Sequence, residues 1–372
     1  MSKSSDKFSK IKNIVTVSTA ALFLGGFSLW SIIAPDGELS TSERRPLNQF
    51  PELKYESVMD GSFMTNFEKY TLDQFPLRDR FRTLKSITAF YALGQLDNND
   101  IYIREGTAAK IEYPMNEQSL AHAAERFSYV YDKFIKDKAN NVYLSVVPDK
   151  GYFLADKYGY PTMDYDKFVE TLCGQMEFAQ YIDIMQTLEA SDYYATDTHW
   201  RQEKLVETAK QLAQQMGVEL NAEYTVNKLG KPFYGVYCGQ SALPLPAEDI
   251  YYLTNPIFDD CTVFDFETGK EMSVYDMEKG NGIDPYELFL SGSKSLISIE
   301  NPNASTDKQL VIFRDSFGSS ISPLLIEGYS KITLVDIRYM MPQMLPRFID
   351  FTNQDVLFLY STSVLNNSET IK

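Results

Sequence analysis

The chain has 372 residues, enough to bury a sizeable core in one large or two modest domains, and its 44% hydrophobic and 23% charged content is that of a globular protein. Against 35 basic side chains stand 51 acidic ones, a net charge of −16 that excludes nucleic acid as a partner, since phosphate binding needs a basic face. Three cysteines (Cys173, Cys238, Cys261) make no even disulfide framework and no Cys-x-x-Cys pair, so no metal and no cofactor is expected. Spacing leaves a Cys238–Cys261 bridge outside the cell open.

The N-terminal end is basic, with Lys3, Lys7, Lys10 and Lys12 against Asp6, and is expected as a short cytoplasmic tail over residues 1–13. Ile14 to Ala34 then carries no charge, about the 20 residues that cross a bilayer. A cleaved signal peptide also begins basic, but it has a shorter apolar core and an Ala-x-Ala-like site. The segment 14–34, with Trp30 near its far end, reads better as an uncleaved anchor. The positive-inside rule then places the lysines in the cytoplasm and the remainder in the extracellular space. That compartment disfavours ATP-dependent chemistry and favours extracellular polymers as substrates.

Residues 35–60, rich in Pro, Glu and Ser, read as a linker and extended arm, and 61–365 as the extracellular domain. An amphipathic helical pattern covers 62–93, interrupted at Pro76. Ile101 to Ile103 reads as a short strand, and apolar spacing near 3.6 predicts a helix from 117 to 138, with His122 as a structural histidine. Val142 to Val147 is a continuous apolar run of the kind found in buried parallel strands, with Lys150 just past its end. A helix over 164–180, a short strand from Tyr181 to Met185 and a helix from Glu203 to Met216 follow. The irregular stretch 218–300 reads as a β-rich insertion. Beyond it the order is strand 309–313, helix 318–327 broken early by Pro323, strand 331–337, helix 341–351 and strand 355–360, ending in a frayed polar tail. Alternating apolar strands and helices predict an α/β fold with a parallel sheet covered on both faces.

Two segments carry chemistry. Thr196-Asp197-Thr198-His199-Trp200 holds one of only two histidines, and Arg314-Asp315-Ser316-Phe317-Gly318 places a serine at a strand-to-helix turn. A serine hydroxyl needs a base to take its proton, and a carboxylate fixes the tautomer of that base. Ser316, His199 and Asp197 are therefore the candidate nucleophile, base and orienter. The bland alternative is a chance Asp-x-His beside a helix cap. Asp315, Arg314, Arg338, Tyr339, Trp200 and Lys150 are candidate supporting or substrate-binding residues. Trp200 fits either a sugar platform or packing behind the histidine loop. Arg338 fits either an acyl or glycan contact or an ion pair with Asp336.

The two blocks resemble the signatures of the DHHW family and of the SGNH-hydrolase-like proteins of alginate O-acetylation, the AlgX and AlgJ group. The Arg-Pro-Leu…Phe-Pro arm at 45–51, Asp73 to Asp79, Val147 to Lys150, Phe233-Tyr234-Gly235 and Val335 to Tyr339 follow the same pattern in order. The resemblance implies an SGNH-like three-layer sandwich in which the Asp-His block precedes the serine block. It also implies transfer of acetyl groups to a cell-surface or secreted polysaccharide through an acyl-serine, with the donor supplied by a membrane-bound O-acyltransferase. Esterase activity and a catalytically inactive envelope scaffold that binds glycan are the alternatives. Arg314 stands where SGNH enzymes have glycine, and no counterpart of their Gly and Asn oxyanion blocks can be assigned.

Overall fold

In the computed structural model, which describes residues 2–372 with side chains from Phe8 onward, Lys3, Asp6 and Lys7 lie outside the described side chains. The chain divides into two compact units, residues 1–95 with 242–244, and 96–241 with 245–372.

The first unit opens with helix α1 (Ser2–Ile33), whose Phe8–Ile33 portion is long and apolar enough to cross a bilayer. An extended arm follows and is fastened onto α2 (Ser62–Asp73). The Arg45 guanidinium grips Asp73 through two bonds of 2.8 and 2.7 Å, and Asn48 adds its N–H at 2.9 Å. Those donors, Arg45 first, hold the Asp73 carboxyl well below the usual carboxylate range. Pro76 separates α2 from α3 (Arg78–Ile87), which continues into a π-helical turn over 88–92. Arg78 and Arg82 reach Glu43 at 2.7 and 3.1 Å.

The second unit is organised by one eight-stranded sheet. Its elements, in chain order, are α4 (Glu117–Val130), β1 (Asn141–Val147), α5 (Tyr165–Gln175), β2 (Gln180–Tyr181), α6 (Val206–Gln215), β3 (Thr262–Asp265), β4 (Lys270–Met272), β5 (Leu296–Glu300), β6 (Gln309–Arg314), α7 (Phe317–Leu325), β7 (Lys331–Val335) and β8 (Asp355–Ser361). The strand order is β4-β3-β5-β7-β6-β8-β1-β2. From β7 to β2 all pairings are parallel, while β5, β3 and β4 add antiparallel.

Alternation along the strands sends side chains into two cores. Leu310 and Ile312 of β6, with Leu357 and Leu359 of β8, pack with Leu212 of α6 and Ile321 and Leu324 of α7. Val311, Phe313, Val356 and Phe358 face the other way, onto Leu120 and Phe127 of α4 and Phe168 of α5. The result is three layers, helix over sheet over helix. The turns following β1, β6, β7 and β8 lie together at the carboxyl ends of the parallel strands, where open α/β sheets place their sites.

The stretch 218–300 is β-rich as expected: β3, β4 and β5 extend the central sheet, and the hairpin 225–233/248–254 forms a two-stranded sheet of its own. Several expected elements differ. The expected strand 181–185 stops at Tyr181, because Asp183 accepts the Met185 N–H at 2.8 Å and begins a tight turn. The α4 helix ends at Val130 and passes into a π turn over 131–135. In place of a helix over 341–351 there is only a 3₁₀ segment, Pro342–Arg347, since Pro342 and Pro346 lack the donors an α-helix needs. Pro323 does not break α7, which runs on to Leu325 with Ser322 Oγ donating to the Gly318 carbonyl at 2.6 Å. The C-terminal residues are not frayed: Asn366 accepts the Asn116 N–H at 2.7 Å, Ser368 bonds Ser119, and Ile371 is buried.

Phe358 is fully buried, 4.9 Å from the Phe313 ring and 5.0 Å from that of Phe127. Phe358→Ala should lower the unfolding free energy by about 3–5 kcal/mol, read from the urea midpoint at unchanged slope.

Candidate active site

The two signature segments meet at the end of β6. The turn after β6 is set by Asp315, fully buried, whose Oδ1 accepts the Phe317 N–H at 3.0 Å. Its Oδ2 accepts the N–H and hydroxyl of Ser361 at 2.8 and 2.7 Å, tying the end of β6 to the end of β8. Gly318 is needed by contact: a Cβ there would stand 2.6 Å from Arg314 Cβ. Arg314 is itself buried, with Nη1 and Nη2 donating to the carbonyls of Asp315 and Lys294 at 3.3 and 3.4 Å. Burial lowers its pKa, and Asp336 is the first charge opposing that. Of the five residues in this block, only Ser316 is not fully buried.

His199 lies on an irregular loop ahead of α6. Its Nε2 is 2.7 Å from Ser316 Oγ, and its Nδ1 is 2.7 Å from Asp197 Oδ1. A carboxylate only accepts, so the imidazole proton sits on Nδ1 and Nε2 is left to receive the serine O–H. Asp197 is buried and also accepts the backbone N–H groups of His199 at 3.1 Å and Val236 at 2.8 Å. The His199 ring stacks on Tyr286 at 3.9 Å with 12° between planes, and the Phe317 ring lies 5.1 Å from it at a tilt of 49°.

Trp200 is fully buried, so it is not a sugar platform. Its Nε1 donates to the Phe317 carbonyl at 3.2 Å and to Ser320 Oγ at 2.8 Å, joining the histidine loop to α7. Ser320 also bonds the Tyr286 hydroxyl at 2.8 Å.

Beneath the loop, Glu248 accepts the N–H of Ala195, the N–H of Thr196 and the Thr196 hydroxyl, each at 2.7 Å. The Gly235 N–H donates to Thr196 Oγ1 at 2.9 Å, and a Cβ on Gly235 would fall 2.1 Å from the Thr196 carbonyl oxygen. Lys150 is buried there as well, donating to the Tyr194 and Ala195 carbonyls at 2.9 and 3.4 Å and lying 4.8 Å from the centre of the Tyr237 ring. Burial pushes its pKa down to about 7 against the pull of Asp197 and Glu248.

The remaining candidates stand differently. Arg338 forms the ion pair with Asp336, through Nε at 2.9 Å and Nη2 at 2.7 Å. Tyr339 is exposed and lies under the Arg338 guanidinium at 5.5 Å. His122 bonds Ser368 Oγ at 3.1 Å, far along the chain from the relay. No disulfide joins Cys173, Cys238 or Cys261, and no group of metal-ligating side chains occurs among the described residues. Tyr286 and Glu248 were missed by the sequence reading. Both lie in the irregular stretch, and neither carries a local motif. Gly235 stood in a quoted segment, and its role appears only as a close backbone approach.

No family model and no curated protein matches the chain. Among solved structures, a DHHW family protein from Eubacterium siraeum DSM 15702 is similar at TM-score 0.61 and 22% identity, over 74% of this chain and 95% of that one. Bacillus cereus PatB1 with a sulfonyl adduct gives 0.56 and 18%, over 73% and 96%. The O-acetyltransferase domain of Pseudomonas putida AlgJ gives 0.44 and 12%, over 72% and 92%.

Lys150 supplies a stability signature. Its folded pKa lies below the unfolded one, so the unfolded chain binds the extra proton between about pH 7 and 10.5 and this group makes stability rise across that window. Lys150→Met should flatten that limb when urea midpoints are measured at a series of pH values; an unchanged slope would refute the assignment.

The chain thus shares its fold with a DHHW family protein and with PatB1, in agreement with the family resemblance carried by its Asp-Thr-His-Trp and Arg-Asp-Ser-Phe-Gly blocks.

Proposed function

We propose that the chain is a membrane-anchored, SGNH-like serine O-acetyltransferase or acetylesterase acting outside the cell on a cell-surface or secreted polysaccharide. The observation that carries the reading is the unbroken relay from Asp197 through His199 to Ser316, with both links at 2.7 Å. The acetyl and polysaccharide parts rest on the resemblance of the two blocks to the alginate O-acetylation proteins. α1 supports the anchor by its length and apolar character. The acetyl donor would come from a membrane-bound O-acyltransferase.

Ser316 Oγ attacks the acyl carbonyl carbon as its proton passes to His199 Nε2. The charge gathers on the carbonyl oxygen, and Asp197 steadies the imidazolium. The N–H groups of Phe317 and Gly318 are turned back onto Asp315, leaving the Ser316 N–H as the backbone donor at this turn for the oxyanion. When the tetrahedral adduct collapses, the bond to the donor oxygen breaks, His199 returns its proton to that leaving group, and acetyl-Ser316 remains. A sugar hydroxyl, deprotonated by His199, attacks the acetyl group and regenerates the serine; water in its place gives hydrolysis. PatB1, which shares the fold, is known with a sulfonyl adduct.

Release of nitrophenol from a nitrophenyl acetate should fall about 10³-fold or more in Ser316→Ala and in His199→Ala, with unfolding midpoints little changed. A sulfonyl fluoride should block the activity and add its mass to the peptide holding Ser316. Hydrolysis untouched by either substitution refutes the relay, and acetate moving to an oligosaccharide in preference to water selects transferase over esterase.

A further inference from the structure

From Phe8 to Trp30, α1 is exposed at every position except Phe27, which is half-buried. What covers Phe27 is the turn between α2 and α3. The Phe75 ring stacks on it at 5.4 Å with 7° between planes, and Phe81 of α3 meets it edge-on at 5.6 Å. Phe27 stands six residues before the end of α1 at Ile33, roughly 9 Å of helical rise. Phe75 and Phe81 are therefore held alongside the apolar span, below its outer end.

The helix that carries Phe81 has an uncovered apolar stripe. Leu77, Phe81, Leu84, Ile87 and Tyr91 recur at intervals of three and four, one face of a helix, and are 36–80% exposed. The other face is committed: Arg78 and Arg82 pair with Glu43. Arg80, in the first turn of the stripe, and Lys85, at its edge, are exposed. An apolar face rimmed by long cationic side chains suits a lipid interface, with stems along the acyl chains and charges at the phosphates. A tyrosine near its end suits the headgroup level.

We propose that α3 and the turn before it lie in the interface of the bilayer that α1 crosses, at the C-terminal end of α1, with this stripe buried among acyl chains. The partner is a lipid surface, anionic headgroups meeting Arg80 and Lys85. Continuity with α1 through Phe27 selects lipid over a soluble protein or a second copy of the chain, because whatever covers Phe81 must also be compatible with the depth of Phe27. The inference rests on the anchor reading and does not depend on the acetyl chemistry.

The test uses the full-length chain in nanodiscs of phosphatidylcholine and phosphatidylglycerol, with Cys173, Cys238 and Cys261 replaced by serine. An environment-sensitive fluorophore is attached at Leu22→Cys in α1, at Leu84→Cys on the stripe, or at Asp79→Cys on the far side of α3. Lipids bearing a nitroxide near the top of the acyl chain should quench the first two about twofold or more and leave the third nearly unchanged. Quenching at position 22 without quenching at 84 overturns the proposal and leaves the anchor standing. No quenching at 22 refutes the anchor and the proposal with it. Should the cysteine-free chain fail to fold, Leu84→benzoylphenylalanine in the otherwise unaltered protein serves instead. Photolysis should give a lipid adduct at position 84, and a protein adduct in its place would count against lipid.

Discussion

The Asp315 carboxylate is the constraint on which the site depends. It is buried, and its bonds to Phe317 N–H, Ser361 N–H and Ser361 Oγ fix three chain directions at once: the exit of β6, the start of α7 and the end of β8. Removing any one donor would leave part of a buried charge unmatched, a cost of several kcal/mol. That stake explains how a sharp turn holds Ser316 at the carboxyl end of the sheet without strain in its own backbone, which is helical at φ −61° and ψ −25°. The second half of the relay is brought to this turn by Trp200, whose indole binds the Phe317 carbonyl, one residue past Ser316. His199 precedes Trp200 directly in sequence, so fixing the indole fixes the imidazole.

The histidine loop carries little regular structure, and its order comes from hydrogen bonds, each with a named partner. Glu248 takes three donors from two residues, and Lys150 supplies donors to two carbonyls of the same loop. A buried amine and a half-buried carboxylate on one strip of backbone saturate groups that a helix or strand would have paired internally. Gly235 permits this arrangement by letting one backbone pass within contact of another. The ring of Tyr286 then fixes the tilt of the imidazole, and its hydroxyl is held by Ser320, which also receives the indole proton.

How much of this was legible in the sequence follows from where the information resides. Ser316, His199 and Asp197 were legible because each belongs to a contiguous block, and because two histidines leave few choices of base. The parallel strands β1, β6 and β8 were legible from unbroken apolar runs bounded by polar residues. The antiparallel strands β3, β4 and β5 were legible only as a β-rich stretch: they are short, and their place in the central sheet is set by the pairing of β5 with β7, which no local pattern records. Tyr286 and Glu248 are illegible for the same reason. Each acts on the loop across 40 residues or more of sequence, and no local pattern records such a contact. The helix expected over 341–351 had the right spacing of apolar residues, but two prolines decided the backbone, since spacing cannot supply an N–H that proline lacks.

Arg314 is buried beneath the turn that carries Ser316. Its guanidinium is turned inward, bonding carbonyls and lying near Asp336, which in turn holds Arg338. The Arg314 guanidinium bonds the Asp315 carbonyl, so this group of charges is tied to the turn that carries Ser316. Asp336 is fully buried between the two cations, which compensates a carboxylate that would otherwise be costly at that depth. Asp315, Asp336 and Arg338 are held by backbone and by one another, and Arg314 is buried with its two Nη atoms on carbonyls, whereas the Ser316 hydroxyl and the His199 Nε2 face each other at 2.7 Å. The polar residues of the block thus divide into those that build the turn and the one that uses it.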